Sequence, residues 1–429
     1  MDTTSAALFT DHYELTMLSA ALRDGTAERR CVFEVFARRL PPGRRYGVVA
    51  GTGRIMELLA DARFRPDEVD WLRERGVVDD ATAAWLADHR FRGDIDGYAE
   101  GELFFPGSPI LTVSGTFAEC VVLETVVLSV LNHDCAVAAA AARMVTAARG
   151  RPLIEMGSRR SHEEAAVAAA RAAYLAGFAS TSNLAAGRRY GIPTAGTAAH
   201  AFTLLHDDET AAFASQVATL GKNTTLLVDT YDISQGIRNA IAVAGPDLRA
   251  IRIDSGDLSV LAQQSRDLLD ELGATETKII VSGDLDEYAI AALAAEPVDA
   301  YGAGTAVVTG SGAPTAGLVY KLVEVAGRAV VKRSENKATV GGRKTAVRRH
   351  KPTGTATEEV IVTQGTPEPQ LHDRLLQRPY VRAGEPVELP SLDAARACMR
   401  ERLIAIPWEG LKLSQGEPAI PVTIQSARR

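Results

Sequence analysis

Residues 251–284 open as Ile251-Arg-Ile-Asp254-Ser-Gly-Asp257, continue through a helical stretch from Leu258 to Leu272, and close as Ile279-Ile-Val281-Ser-Gly-Asp284. Each short strand-like run ends in a polar tip that carries glycine, and a helix then returns the chain for the next strand. The same unit recurs on both sides. Leu226-Leu-Val228 runs into Asp229-Thr-Tyr-Asp232, and other tips read Glu155-Met-Gly-Ser-Arg159-Arg160, Gly196-Thr197-Ala-Ala-His200 and Tyr301-Gly302-Ala-Gly304-Thr305. Six tips at intervals of roughly 20 to 40 residues predict an α/β fold, an irregular β/α barrel whose carboxyl-terminal loops converge on one pocket. A seventh strand is expected at Phe178 to Ser182, and helices at Thr210 to Leu220, Ser234 to Ala244 and Leu285 to Ala295. Apolar runs without polar alternation suit parallel strands buried on both faces.

Before the barrel, Leu8 to Met17 opens a helix in which Asp11 and Glu14 have capping-box spacing. Residues 31–113 alternate short strands and helices, and a long helical stretch from Thr116 to Arg149 leads into the barrel. After Glu324 the composition changes. From Arg328 to Lys351 there are nine Lys or Arg residues and one acid, which reads as a basic hairpin or lid. The expected organisation is an amino-terminal α/β domain over 1–115, a barrel with the active site over 116–325, and a carboxyl-terminal segment over 326–429 that packs on the others.

With 429 residues, 46% hydrophobic and 24% charged, the chain has the composition of a globular protein with a large core. A net charge of -7 argues against nucleic acid or an anionic membrane as partner. Cys31, Cys120, Cys135 and Cys398 are scattered without metal-ligand spacing, as expected for free thiols in the cytoplasm. No basic leader and no uninterrupted apolar span of about 18 residues is expected, and Cys120 to Leu131 reads as a buried helix.

The tips carry the chemistry. Arg252 and Asp254 lie two residues apart and so on one side of their strand. Such a pair can hold an anion with the arginine while the carboxylate takes hydroxyl hydrogen bonds or faces developing positive charge; the alternative is an ion pair closing the barrel top. Gly283-Asp284 and Gly302-Ala-Gly304-Thr305 are tips where main-chain N–H groups can reach phosphate oxygens, although turns alone explain such glycines equally well. His200 sits in a small-residue tip, and a structural histidine is the plain alternative. Asp229 and Asp232 could bind Mg²⁺ or cap a helix; their spacing does not choose. Schiff-base chemistry is disfavoured, because Lys222 and Lys278 precede their strands and belong to the opposite end.

Seven stretches in order resemble the nicotinate phosphoribosyltransferase family: Thr10 to Met17, Glu155 to Arg160, Gly196 to His200, Leu227 to Tyr231, Ile253 to Asp257, Gly304 to Val308 and Tyr320-Lys321-Leu322. The resemblance implies a type II phosphoribosyltransferase fold, with an additional α/β domain built from both chain ends and a homodimer with shared active sites. It implies that nicotinate and 5-phosphoribosyl 1-pyrophosphate form nicotinate mononucleotide, with ATP as co-substrate and Mg²⁺ as cofactor. By the same resemblance His200 is the histidine phosphorylated by ATP and Asp254 faces the ribose as a catalytic group. Thr197 and Arg252 contact nicotinate, Arg159 lies near the ring or pyrophosphate, and Tyr13 of a neighbouring subunit stacks on the pyridine. Gly302, Gly304 and Thr305 hold the 5-phosphate, with Gly283 and Asp284 on the ribose phosphate substrate. Lys332, Lys337 and Lys344 match a family lysine pattern, with Gly341-Gly342 where Pro-Gly is common. The metal ligands are left open. Nicotinamide or quinolinate as substrate, or a barrel that binds without catalysis, are the competing readings.

Overall fold

The computed structural model describes residues 4–332 and 340–426. By contact density the chain forms two compact units: Met1–Ala139 with Ala313–Arg429, and Ala140–Gly312. The expected three-way division at 115/116 and 325/326 is therefore redrawn. The reason is strand pairing, because Leu318–Val325 joins Arg30–Ala37 antiparallel, with Glu34 opposite Lys321, and so belongs with the amino terminus.

The first unit is built on a seven-stranded antiparallel sheet that runs Arg328–Ala329, Leu318–Val325, Arg30–Ala37, Leu111–Thr116, Asp94–Tyr98, Gln377–Arg382 and Glu385–Pro386 in order. Arg30–Ala37 is buried along nearly its whole length, as a central strand of Cys, Val and Phe should be. A four-stranded sheet, ordered Arg374–Leu375, Lys344–His350, Ala356–Thr363 and Val422–Ser426, completes this unit from the carboxyl-terminal residues. Within the basic segment, Arg328–Ala329 and Lys344–His350 are strands, and residues 333–339 lie outside the described residues. Lys344 is not available to a lid: it is buried, its N–H donates to Glu34 Oε1 at 2.9 Å and its ammonium closes on the same carboxylate. Lys337 lies outside the described residues.

The long apolar stretch before the second unit divides into helices Phe117–Val121 and Glu124–Ala147. By length and composition Phe117–Ala147 could cross a bilayer, contrary to the expectation that no such span exists. Its most apolar window is 67% buried within the protein, the mark of a core helix.

The second unit carries a six-stranded parallel sheet in the order Ser180–Thr181, Leu153–Glu155, Ala300–Ala303, Lys278–Val281, Ala250–Ile253 and Thr225–Leu227. Leu226, Ile251, Ile253, Ile279 and Val281 lie on one face by the strand register and are fully buried; on the other face Leu227 is buried while Arg252 and Ile280 are half-buried. The sheet has two edges, so the barrel is a curled half-barrel. The strand expected ahead of Gly196 reduces to one parallel bridge, Thr181 to Thr194. Pro193 cannot donate to a ladder, and Gly191 turns the chain at φ 69° two residues before it. Caps at the strand tips start the return helices: Asp208, Asp232, Asp257 and Asp286 each accept a backbone N–H from the first turn. The capping box read from sequence is not made: Asp11 stands at the N-cap position without a side-chain cap bond, and Glu14 instead accepts from Thr10 and Thr125.

Candidate functional site

Sheet order places the tips of Leu153–Glu155, Ala300–Ala303, Lys278–Val281, Ala250–Ile253 and Thr225–Leu227 side by side at the carboxyl end of the parallel sheet. Arg252 is the hub. Its Nε donates to Ser282 Oγ at 2.9 Å, one terminal nitrogen to Thr197 Oγ1 at 2.6 Å, and the other to Asp254 Oδ1 at 2.9 Å. A guanidinium has five N–H donors. Three are spent on these partners, which leaves one on each terminal nitrogen, and a carboxylate can accept such a pair. The side chain is 12% exposed, so a ligand here would meet a held, partly desolvated cation.

Asp254 faces the same space. Its Oδ1 takes both the Arg252 bond and a short one from Ser282 Oγ, while its main-chain N–H donates to Asp229 Oδ2 at 2.9 Å. Burial opposes its ionisation, but the Ser282 and Arg252 hydrogen bonds, with the charges of Arg252 and His200, outweigh burial and hold its carboxyl below the ordinary range. Asp254 therefore stays an anion through neutral pH.

Asp229 is the buried support of this group. Its Oδ2 also accepts from Ser255 Oγ at 2.8 Å. Its Oδ1 has no hydrogen-bond partner among the described residues and lies 3.9 Å from His200 Nε2. His200 begins the short helix His200–Leu204, its Nδ1 is 3.1 Å from Thr230 Oγ1, and its side chain is 41% exposed. The imidazole is thus oriented on one nitrogen and open near a carboxylate on the other. Asp232 is accounted for as a cap on Gln235 N–H at 2.8 Å.

The late glycine tips allow close backbone approach. Gly283 adopts φ 105°, and a Cβ there would fall on the carbonyl oxygen of Asp254. Asp284 follows at φ 48°, a left-handed conformation costly for a side-chain residue and concentrated at functional sites. At Gly302 a Cβ would come within 2.8 Å of Met156 Sδ. Gly304 precedes Thr305, which opens the helix Thr305–Val308. Gly283, Asp284 and Thr305 are exposed, Gly302 is buried and Gly304 is half-buried.

Glu155 does not face a ligand as an exposed acid would. It is 1% exposed, it accepts from Gly157 N–H and Thr181 Oγ1, and burial pushes its carboxyl up against those two bonds. It shapes the loop that presents Arg159, which is exposed and makes no ion pair among the described residues. Tyr13 belongs to the other unit, on helix His12–Asp24, and is 45% exposed. Its phenol is pushed up to about 12, by burial first and then by Glu124.

Ser282, Ser255 and Thr230 were not singled out by sequence reasoning. The signal for Ser282 was its place in the Ser-Gly-Asp tip, where the glycine and aspartate attracted the roles. Its hydroxyl is 3% exposed in residue terms and joins Arg252 to Asp254. Replacing Ser282 by alanine removes one bond that keeps the Asp254 carboxyl low. The acid limb of the pH profile for kcat/KM should then move to higher pH, because Asp254 gains its proton sooner as pH falls. A pH profile superimposable on the wild type would refute this role for Ser282.

Residues 8–132 match the family model for the nicotinate phosphoribosyltransferase N-terminal domain, and residues 137–311 match that for the quinolinate phosphoribosyl transferase C-terminal domain. The chain is 63% identical over 428 residues to nicotinate phosphoribosyltransferase pncB1 of Mycobacterium tuberculosis, covering 97% of this chain and 94% of that protein. It is 38% identical over 359 residues to nicotinate phosphoribosyltransferase of Bacillus subtilis, covering 80% and 73% respectively. Among solved structures, human nicotinic acid phosphoribosyltransferase superposes with a TM-score of 0.86 at 27% identity, over 97% of both chains. Nicotinate-nucleotide pyrophosphorylase from Pyrococcus furiosus shares the fold, with a TM-score of 0.79 over 93% of this chain and 95% of that one.

Proposed function

The chain belongs to the nicotinate phosphoribosyltransferase family, and from that premise we propose that it forms nicotinate mononucleotide and pyrophosphate from nicotinate and 5-phosphoribosyl 1-pyrophosphate, as an enzyme of NAD biosynthesis and salvage. The observation that carries the substrate choice is Arg252, held by Thr197, Ser282 and Asp254 with one donor left on each terminal nitrogen. A carboxylate completes that pair of donors and matches the guanidinium's charge, whereas the amide of nicotinamide is neutral and turns its own N–H donors toward the arginine.

The chemistry follows from charge. As pyrophosphate departs from C1, the ribose becomes oxocarbenium-like, and the Asp254 carboxylate stabilises the developing positive charge while the pyridine nitrogen attacks with its own lone pair. No protein base is required for that step. Gly302, Gly304 and Thr305 bind the 5-phosphate, Gly283 and Asp284 border the ribose, and Arg159 meets the ring or pyrophosphate. Among the described residues no cluster of three His, Cys, Asp or Glu side chains could hold a metal alone. The unpartnered Asp229 oxygen fits a Mg²⁺ ion that arrives on substrate phosphates, since such ions use one or two protein carboxylates. When bound, Mg²⁺ neutralises charge on the leaving pyrophosphate.

ATP enters through His200. Its open nitrogen near Asp229 suits phosphorylation, and a phosphate there adds roughly 1.5 to 2 negative charges beside the pyrophosphate end. Hydrolysis of that phosphate couples ATP to product formation. In this reading the protein is a cytoplasmic homodimer, and Tyr13 of the second subunit stacks on the pyridine to complete each site.

A substrate panel tests the assignment. Nicotinate should be preferred over nicotinamide and quinolinate, and preference for either of the latter overturns it. The match of residues 137–311 to the quinolinate enzyme's domain makes that comparison necessary. For the histidine, incubation with labelled ATP should leave an acid-labile phosphate on the wild type and none on His200→Ala. An unlabelled wild-type protein would remove His200 from the coupling step.

A further inference from the structure

At the opposite end of the parallel sheet, where the strands begin, the loops before Leu153, Lys278 and Ala300 border an open, shallow cleft of about 550 Å³. Arg149, Arg151, Arg266 and Lys278 line it, with Asp299 as the one carboxylate in its wall. Arg151 is held by neutral acceptors only: Tyr301 OH at 2.8 Å, the Leu293 carbonyl at 3.3 Å and the Glu296 carbonyl at 3.2 Å. Its orientation is therefore fixed while its charge is left uncancelled. Arg266 is fixed by the Thr277 and Ala274 carbonyls and by Asp270, and Lys278 pairs with Asp299 at 3.3 Å. Four cations set against Asp270 and Asp299 leave two positive charges in excess.

Cations at this end of a β/α unit commonly serve the carbonyl ends of helices; Arg151 does so at Leu293 and Glu296, and Arg266 meets the loop carbonyls of Ala274 and Thr277. Arg149 does neither. It has no carboxylate or carbonyl partner for its side chain among the described residues. It adopts a left-handed φ of 50°, followed by Gly150 at 89°, so the backbone is strained where this charge joins the cleft. The volume lies within the range of small-molecule sites, and Pro152 and Pro297 supply an apolar border.

We propose that this cleft binds a phosphate-bearing anion, either pyrophosphate or the phosphate end of a nucleotide, at a site separate from the Arg252 centre. The two excess charges match a dianionic or more highly charged group, and the fixed guanidiniums bind it without ordering first.

Hydrogen–deuterium exchange of the full-length protein, read by mass spectrometry, locates binding independently of catalysis. Pyrophosphate should protect peptides covering 148–152 and 296–299, separately from any protection over 301–305 at the reaction centre. Arg149→Gly is the decisive variant, because glycine suits the left-handed backbone and the fold is kept. It should weaken protection at 148–152 about tenfold in ligand concentration, with that over 301–305 unchanged. Stronger protection by AMP or ATP than by pyrophosphate identifies a nucleotide, and equal protection identifies the bare phosphate group. No protection at 148–152, or protection that survives unchanged in Arg149→Gly, overturns the site.

Discussion

Replacing Arg252 by alanine should lower kcat/KM for nicotinate by about two to three orders of magnitude, with the loss shared between KM for nicotinate and kcat. The KM part comes from the donors that meet the substrate carboxylate. The kcat part comes from Asp254, which loses the guanidinium that both neutralises and aims its carboxylate at 2.9 Å. Thr197 and Ser282 lose their shared partner as well, so the whole constellation loosens. Arg252→Lys should recover little, because an ammonium cannot serve three fixed acceptors and a planar carboxylate at once. Steady-state kinetics on both variants decide the matter. A variant within tenfold of the wild type would show that the substrate carboxylate is bound elsewhere.

The second large effect is on stability. In the first unit, Arg348 is fully buried between Glu359 Oε2 at 2.6 Å and Glu102 Oε1 at 3.2 Å, with its guanidinium 5.0 Å over Phe105. Glu359 also accepts from Tyr98 OH at 2.7 Å and Ser108 Oγ at 2.6 Å, and Glu102 is met by Arg374 and Arg402. Arg348→Met fills the volume but leaves Glu359 as a buried carboxylate with neutral donors only. Breaking such a pair costs about 3 to 5 kcal/mol, and Tm should fall by roughly 10 °C. The pH dependence has a definite sign. Burial opposes ionisation of Glu102, but Arg348, Arg374 and Arg402 hold its carboxyl below the ordinary range. Its stabilisation is thus complete above the unfolded-state value and is lost as pH falls through the depressed folded-state value. In Arg348→Met part of that stabilisation is already gone, so the difference from wild type should be widest near neutrality and narrow in acid. Thermal melts across pH test this, and a shift equivalent to less than about 1 kcal/mol would mean that the network is solvated.

Several features of the candidate site were legible in the order of residues because they are local. Arg252 and Asp254 share one side of a strand by its two-residue period, and the structure joins them at 2.9 Å. The positive φ of Gly283 is likewise a local backbone property, whereas the crowding at Gly302 comes from Met156 on a neighbouring tip and is set by the fold. Asp229 and Asp232 looked alike in sequence, three residues apart. Only the fold separates them, by giving Asp232 a helix end to cap and burying Asp229 with one oxygen unmet.

Other expectations depended on partners that are distant in the chain. Lys344 read as part of a basic lid, yet its counter-ion is Glu34, 310 residues earlier, and a buried carboxylate with that register takes the lysine out of solvent. The domain boundaries moved because Leu318–Val325 pairs with Arg30–Ala37. Composition does not register such pairing.

What the sequence by itself determined is the alternation of buried parallel strands and helices and the identity of the groups at their tips. Both follow from periodicity, caps and backbone rules that act within a few residues. The tertiary structure alone decided which tips touch. Strand order set Ser282 beside Arg252 and Asp254, brought Thr197 to the same guanidinium and left His200 open beside Asp229. Hydrogen bonds reach about 3 Å, and residues 25 to 55 positions apart come within that distance only when sheet register and packing bring them there.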